Sequence, residues 1–225
     1  QLSQEFQINF TTERMAGVVG FYYLDANAFG PFDVRLFDLG ALLGFPGYNA
    51  FTLGDVNTET WSVFADVSYD LGNNFELSLG GRYTSDERKS RVLRQTMLGE
   101  STYFGGNPIT VATTSDFEGS QKSTKFTPRA SLSYKPNDDH NIYASYSQGF
   151  KGGSFDPRGL TTAAPDLNGD GVVSEAEVYE FMRFGPETVD SYEVGIKSRF
   201  ANGRINTSLA AFYSDYTDIQ VPGSI

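Results

Sequence analysis

The sequence predicts an all-β chain: an antiparallel transmembrane β-barrel segment of about eight strands, with short periplasmic turns and long extracellular loops. Three observations predict it. Segments of period-2 alternation come in four pairs, with short turn-forming links inside each pair. Long links separate one pair from the next. The apolar stripes carry aromatic residues at both ends, as strands crossing a lipid layer do.

The first pair is residues 3–11 with 17–28, and the second is 60–71 with 75–86, joined by "GNN". The third is 123–135 with 141–150, joined across "PNDDH". The fourth is 189–200 with 204–218, joined through "ANG", whose Asn-Gly step is a strong hairpin signal. The links 29–59, 87–122 and 151–188 read as long loops, all at one end of the strands. Residues 1–225 are expected to form part of one barrel domain, with 160–185 as an inserted loop unit.

On one parity the strands read Trp61-Val63-Ala65-Val67-Tyr69, Phe75-Leu77-Leu79-Gly81-Tyr83, Phe126-Pro128-Ala130-Leu132-Tyr134 and Tyr192-Val194-Ile196-Ser198-Phe200. Eight residues separate the terminal aromatics of each stripe. At about 3.3 Å per residue and a tilt near 40°, that spacing covers roughly 20 Å of membrane normal. The other parity is polar and small, as in Glu76-Ser78-Gly80-Arg82 and Lys125-Thr127-Arg129-Ser131-Ser133, which suits a wet interior. A β-sandwich with one solvated face also alternates, but it has no need for aromatics at both ends of a stripe. Pro128 weakens its own strand.

Composition limits the alternatives. The chain has 225 residues, is 39% hydrophobic and 15% aromatic, and has a mean hydropathy of −0.33. No apolar run approaches the roughly 20 residues of a membrane helix. A net charge of −11 argues against nucleic acid as a partner. With no cysteine there is neither a disulfide nor a thiolate metal site. The opening "QLSQEFQINF" is polar and alternating, so any export signal is expected upstream of it.

Three stretches resemble the TonB-dependent outer-membrane receptors. "FELSLGGRYTSDERK" is similar to the strand carrying a Gly-x-Arg-Tyr-type motif, and "NIYASYSQGFKGGSFDPRG" to the strand leading into a Gly-Phe-Lys-x-Gly-like stretch. "PETVDSYEVGIKSRFANGRINTSLAAFYSDYTDIQV" resembles the Pro-Glu-x-x-x-x-Tyr-Glu-x-Gly-x-Lys hairpin with its Asp-Ile-Gln ending. The resemblance implies a barrel of about 22 strands around an N-terminal plug, in the outer membrane of a Gram-negative bacterium. It also implies partners: outer-membrane lipid, a nutrient such as a ferric siderophore, and the TonB energy-coupling complex acting through the plug. The plug, the coupling box and a final aromatic-ending strand are absent from these residues, so an internal fragment is expected. On the hairpin, Tyr192 falls on the lipid stripe, with Glu193, Lys197 and Arg199 on the interior stripe, where opposite charges can brace the wall or touch a plug.

"DLNGDGVVSEAE" matches a calcium loop without a gap. Asp166, Asn168 and Asp170 would supply side-chain oxygens, Val172 its carbonyl, Ser174 an oxygen directly or through water, and Glu177 both carboxylate oxygens. Gly171 permits the bend, and Val173 is expected to tuck beneath the loop. Ser174 and Glu177 also read as a capping box that starts a helix "EAEVYEFMRF", with Val178, Phe181 and Met182 on one face. No entering helix precedes the loop, so a weak structural calcium ion is expected, on the order of 10⁻⁴–10⁻³ M. It would clamp the 151–188 loop over the barrel mouth.

No catalytic set emerges, and no enzyme is predicted. His140 is the only histidine and lies in a turn. "SQGFKGGSF" lacks the spacing of a phosphate loop, and its glycines read as slack where a strand leaves the membrane. Substrate-binding residues are not identified, although the aromatic and polar 87–122 link offers surface. Two rivals remain: a small non-transporting barrel of adhesin or structural type, and a soluble calcium-stabilised β-sandwich that binds glycans.

Overall fold

A computed structural model describes residues 1–42, 44 and 47–221. Among them, one antiparallel sheet of eight strands follows the chain almost in order. Its first six strands are β1 (Leu2–Thr11), β2 (Met15–Arg35), β3 (Tyr48–Gly72), β4 (Phe75–Leu98), β5 (Ile109–Asn137) and β6 (His140–Lys151). A short helix α1 (Phe37–Leu42) follows β2. After β6 the chain makes a small hairpin, β7 (Ser154–Phe155) with β8 (Arg183–Phe184), enclosing helix α2 (Glu175–Met182). It then re-enters the sheet as β9 (Glu187–Phe200) beside β6 and closes with β10 (Ile205–Thr217). β1 and β10 are the two edges, so these residues do not close a barrel.

The short links form where the sequence demands it. Asn73 and Asn74 have φ of 51° and 69°, and the Ala201-Asn202-Gly203 turn has φ of 54°, 56° and 81°. Such left-handed pairs match the twist of the strands they join. Pro128 is tolerated because the β5–β6 ladder ends beside it, at Arg129↔Ser147. Its missing N–H therefore removes no rung to β6.

The links expected as loops at 29–59 and 87–122 are largely strand. β2 and β3 stay paired out to Arg35↔Asn49, and β4 and β5 out to Leu98↔Ile109. These hairpins run on because each strand stays paired with its neighbours beyond the apolar stripes. Apolar and polar side chains there fall on both faces, as Val92 and Leu93 do side by side, so no period-2 contrast remains to mark a strand. Of the three links, the one after β6 is a long loop among the described residues, apart from its short elements.

The register joins the stripes into one face. Val19, Val63, Leu79, Leu132, Val194 and Leu209 belong to it, each strand aligned with the next through Val19↔Ala65, Val67↔Leu79, Leu77↔Leu132, Ala144↔Val194 and Ile196↔Leu209. Among the described residues nothing covers this face. Val63, Leu79, Leu132 and Ile196 stand 47%, 53%, 43% and 38% exposed. A sandwich would bury them against a second sheet. Aromatic rings pair along its rims, Trp61 with Tyr83 at 5.7 Å on one side and Phe75 with Tyr134 at 4.5 Å on the other.

The opposite face is braced by charge. Arg129 on β5 reaches Asp66 on β3 at 3.3 Å across Gly80 of β4, and Lys135 reaches Glu76 at 3.3 Å. Glu193 and Lys197 are joined through a tyrosine from the neighbouring strand. The Tyr143 hydroxyl donates to Glu193 Oε1 at 2.6 Å, and the Lys197 ammonium lies 5.5 Å from the ring centre. The ring crosses Gly195, where a Cβ would meet it at 2.6 Å, so the Glu-x-Gly-x-Lys spacing is a tyrosine cradle. Arg199 instead pairs with Asp139 in the turn at 3.2 Å. His140 is half-buried, bonded to Ser198 at 2.9 Å beside the Phe200 ring.

Candidate ligand cleft under the long loop

Above the apolar stripes, the loop between β6 and β9 folds back onto the polar face of the sheet. Helix α2 is short, and propensity alone would not hold it. Its start is fixed by the capping box: Ser174 Oγ accepts the Glu177 N–H at 3.3 Å, and Glu177 Oε2 accepts the Ser174 N–H at 2.8 Å. Its apolar side seats on the sheet. Met182 and Phe155 join Val92 of β4 and Phe117 of β5 in a buried cluster flanked by Val178, Tyr179 and Phe181. The helix ends at Met182, before the expected Phe184, because Arg183–Phe184 pair as a strand with Ser154–Phe155.

Hydrogen bonds tie the rest of the loop to β5. The Tyr179 hydroxyl donates to the Ser120 carbonyl at 2.9 Å, and the hydroxyls of Thr161 and Thr162 donate to the Thr114 carbonyl at 3.4 and 3.3 Å. Arg94 of β4 donates to the Arg158 carbonyl.

The calcium-loop residues make a closed turn of their own. Asp166 accepts the N–H groups of Gly169 and Gly171, both at 2.7 Å. Asn168 Oδ1 accepts the Asp170 N–H, and Asp170 Oδ1 the Val172 N–H, each at 2.8 Å. Gly169 and Gly171 adopt φ of 74° and 87°, which this winding requires. Glu177 is buried and turned inward: Oε1 takes the Leu167 and Asn168 N–H groups, while Oε2 takes Ser174. Among the described residues, no three His, Cys, Asp or Glu converge as a metal group. Val172 and Val173 are exposed, so Val173 does not tuck beneath the loop; a half-hand has no partner loop to cover it.

The four donors give Glu177 an unusual acidity. The Ser174 N–H and hydroxyl, then the Asn168 and Leu167 N–H groups, hold its carboxyl down to about 2 from 4.5, with burial opposing them. A depressed folded value means the contribution is fully present above 4.5 and disappears as pH falls toward about 2. Protection against hydrogen exchange at the Leu167 and Asn168 amides, taken relative to the intrinsic rate at each pH, should therefore hold down to about pH 4.5 and fall below it. In Glu177→Gln the acid-sensitive step should vanish. An unchanged acid profile in that variant would show that another carboxylate sets it.

Between the folded loop and the inner face of β2–β4 lies a cleft of ≈ 990 Å³. Arg88, Lys151, Arg158 and Arg183 line it, against Asp156 and Asp218. The cleft thus carries an excess of cationic groups in a chain of net charge −11. Arg88 is held by Asp86 at 3.0 Å and Arg183 by Glu180 at 2.7 Å. Phe155, Phe181 and Phe184 add apolar wall. Such a site takes a small anionic or polar molecule with an apolar body. Sequence reasoning missed it, although Arg88, Lys151 and Arg183 lie within or beside the quoted motifs.

A family profile described as TonB dependent receptor-like, beta-barrel, matches residues 1–225. Three solved structures share the fold. The ferric yersiniabactin uptake receptor FyuA of Yersinia pestis is 18% identical with a TM-score of 0.69, over 97% of this chain and 29% of that one. The siderophore receptor PiuA of Acinetobacter baumannii is 18% identical with a TM-score of 0.53, over 93% and 31%. The ferric-catecholate import receptor Fiu of E. coli K12 is 16% identical with a TM-score of 0.51, over 95% and 30%. The chain therefore spans less than a third of the length of the receptors it matches.

Proposed function

The chain belongs to the TonB-dependent receptor-like β-barrel family, and from that membership we propose that it forms the wall and outer mouth of a receptor for nutrient uptake. Like its family, it resides in the outer membrane of a Gram-negative bacterium. The observation that carries the reading is the uncovered apolar face opposite an ion-paired face onto which the loop folds. A strand crossing the bilayer needs roughly 9–11 residues, yet β3, β4 and β5 have 25, 24 and 29. The surplus lies at the end away from the short turns. In this reading the turns are periplasmic and the tall hairpins stand outside the cell, with the cleft collecting ligand at their inner face.

The cargo we assign is an iron chelate of the siderophore class, drawn by the cationic lining and passed inward under energy supplied by the TonB complex through a plug. The test is growth on single iron sources. A strain lacking the receptor should lose growth on one ferric siderophore, and the wild-type gene should restore it. A variant with Arg88 and Lys151 both replaced by glutamate should restore it poorly. Normal growth of the null strain on every ferric chelate would redirect the assignment to another nutrient.

Calcium is the second element of the proposal. Asp166, Asn168, Asp170, the Val172 carbonyl, Ser174 and Glu177 are all-oxygen donors of the kind a hard cation takes. In the closed turn Glu177 faces backbone N–H groups, so binding requires its carboxylate to swing toward Asp170. Calorimetry on the whole receptor should then show a heat that Asp170→Ala abolishes. Absence of any calcium heat would leave the turn closed by its own hydrogen bonds, those of Glu177 together with those of Asp166, Asn168 and Asp170.

A further inference from the structure

The geometry points to Gln220 as a positioning residue that clasps the two ends of the long loop and so presets the cleft it covers. β10 ends at Thr217, and Asp218, with φ of 57°, turns the chain inward over the loop's base. There the Gln220 N–H donates to Glu187 Oε2 at 2.8 Å, anchoring the residue to the first position of β9. Its side-chain nitrogen carries two hydrogens, and both find carbonyls: Gly185 at 2.9 Å and Gly152 at 3.1 Å. Those carbonyls sit at opposite ends of the loop, one just after β6 and the other just before β9.

The neighbouring residues allow that approach. A Cβ on Gly152 would collide with the Asp86 carboxylate, which is fixed in turn by the Thr60 hydroxyl at 2.5 Å and Arg88 at 3.0 Å. A Cβ on Gly153 would collide with Gln121 and the Phe184 carbonyl, and the Gly153 N–H reaches Ser123 Oγ at 3.4 Å. The "KGG" glycines are therefore points of close contact, not slack. Asp86 from the first quoted stretch, Gly152 from the second, and Glu187 and Gln220 from the third meet here. Segments far apart in sequence act together at the loop's base.

Glutamine is the side chain this place requires. Glutamate has no donor and would set a carboxylate against two carbonyl oxygens, while asparagine is one methylene too short to span them. With both ends held, the loop meets its ligand already formed, which removes the cost of ordering it. That last consequence rests on the cleft receiving ligand; the clasp itself does not.

The test is hydrogen exchange on the whole receptor in lipid nanodiscs, comparing wild type with Gln220→Glu and Gln220→Asn. Exchange at residues 153–156 and 183–185 should quicken by about tenfold or more in both variants. The amides of the β6–β9 ladder should keep their wild-type rates. Loop exchange equal to wild type in both variants would overturn the clasp. So would faster exchange spread evenly through β6, β9 and β10, or failure of both variants to assemble, since either would make Gln220 a general support of the sheet. Calcium-free buffer and the absence of any siderophore keep the result separate from the functional reading.

Discussion

Leu79→Arg should cost the assembled receptor roughly 2–4 kcal/mol, the penalty of an arginine at the bilayer midplane on the lipid face of a barrel. Leu79 lies midway along the Phe75–Tyr83 stripe, opposite Val67 on one side and Ala130 on the other, and its side chain is half exposed. No neighbouring strand offers a counter-charge at that depth on this face: the acids and bases of β4 at this level, Glu76 and Arg82, point the other way. The same substitution at Ser131, on the polar face between Ser78 and Ser145, should be far milder, because water and ion pairs already occupy that side. Urea titration of each variant folded into vesicles gives the comparison. Equal losses at Leu79 and Ser131 would mean that the two faces do not see different solvents, and the membrane assignment would fall with them.

That contrast was readable in the sequence because lipid imposes it. Where hydrocarbon meets one face and water the other, period-2 alternation is strict, and the stripes from Trp61 to Phe200 register in space as they do on paper. Turn chemistry was equally legible, since Asn73-Asn74 and Asn202-Gly203 leave few backbone alternatives. Legibility ended at the upper rim. From Glu87 to Leu98 no hydrocarbon lies against the strand, and its buried Val92 is covered by the folded loop, so the segment shows no regular alternation in hydrophobicity. Its continuation is set by pairing with β3 and β5, which is information held elsewhere in the chain.

The candidate site divided in the same way. A local motif such as Asp166 to Glu177 declares its turn through residues a few positions apart, and the capping box formed as read. The cleft is a product of docking: Arg88, Lys151 and Arg183 come from three separate stretches, and only the seating of α2 on Val92 and Phe117 brings them to one wall. The Gly152–Asp86 approach was invisible for that reason, and a glycine pair with no known neighbour looks like slack.

Phe155→Ala should undock the long loop altogether. Phe155 is 2% exposed, its ring 5.0 Å from Phe117 and 5.2 Å from Tyr179, and Gly119 leaves the space that it fills. Removing a buried phenylalanine typically costs about 3–5 kcal/mol, the lost transfer energy plus the cavity left behind. In a large core that loss is shared across many contacts. Here the cluster has Val92, Phe117, Phe155 and Met182 as its buried members, so one deletion on β7 removes a large share of the apolar seat that holds the loop. Local opening draws only on the stability of the unit that opens, and the sheet beneath has its own ladders. Protease should therefore cut the variant within the loop between β7 and β8 many times faster than wild type, while the receptor stays folded in the membrane. Met182→Ala, from the other side of the same cluster, should act in the same direction. The pair should be less than additive, because once the loop is free there is no docked state left to weaken. Unchanged cleavage in Phe155→Ala would mean that the hydrogen bonds to Thr114 and Ser120, with the clasp at Gln220, hold the loop without its apolar seat.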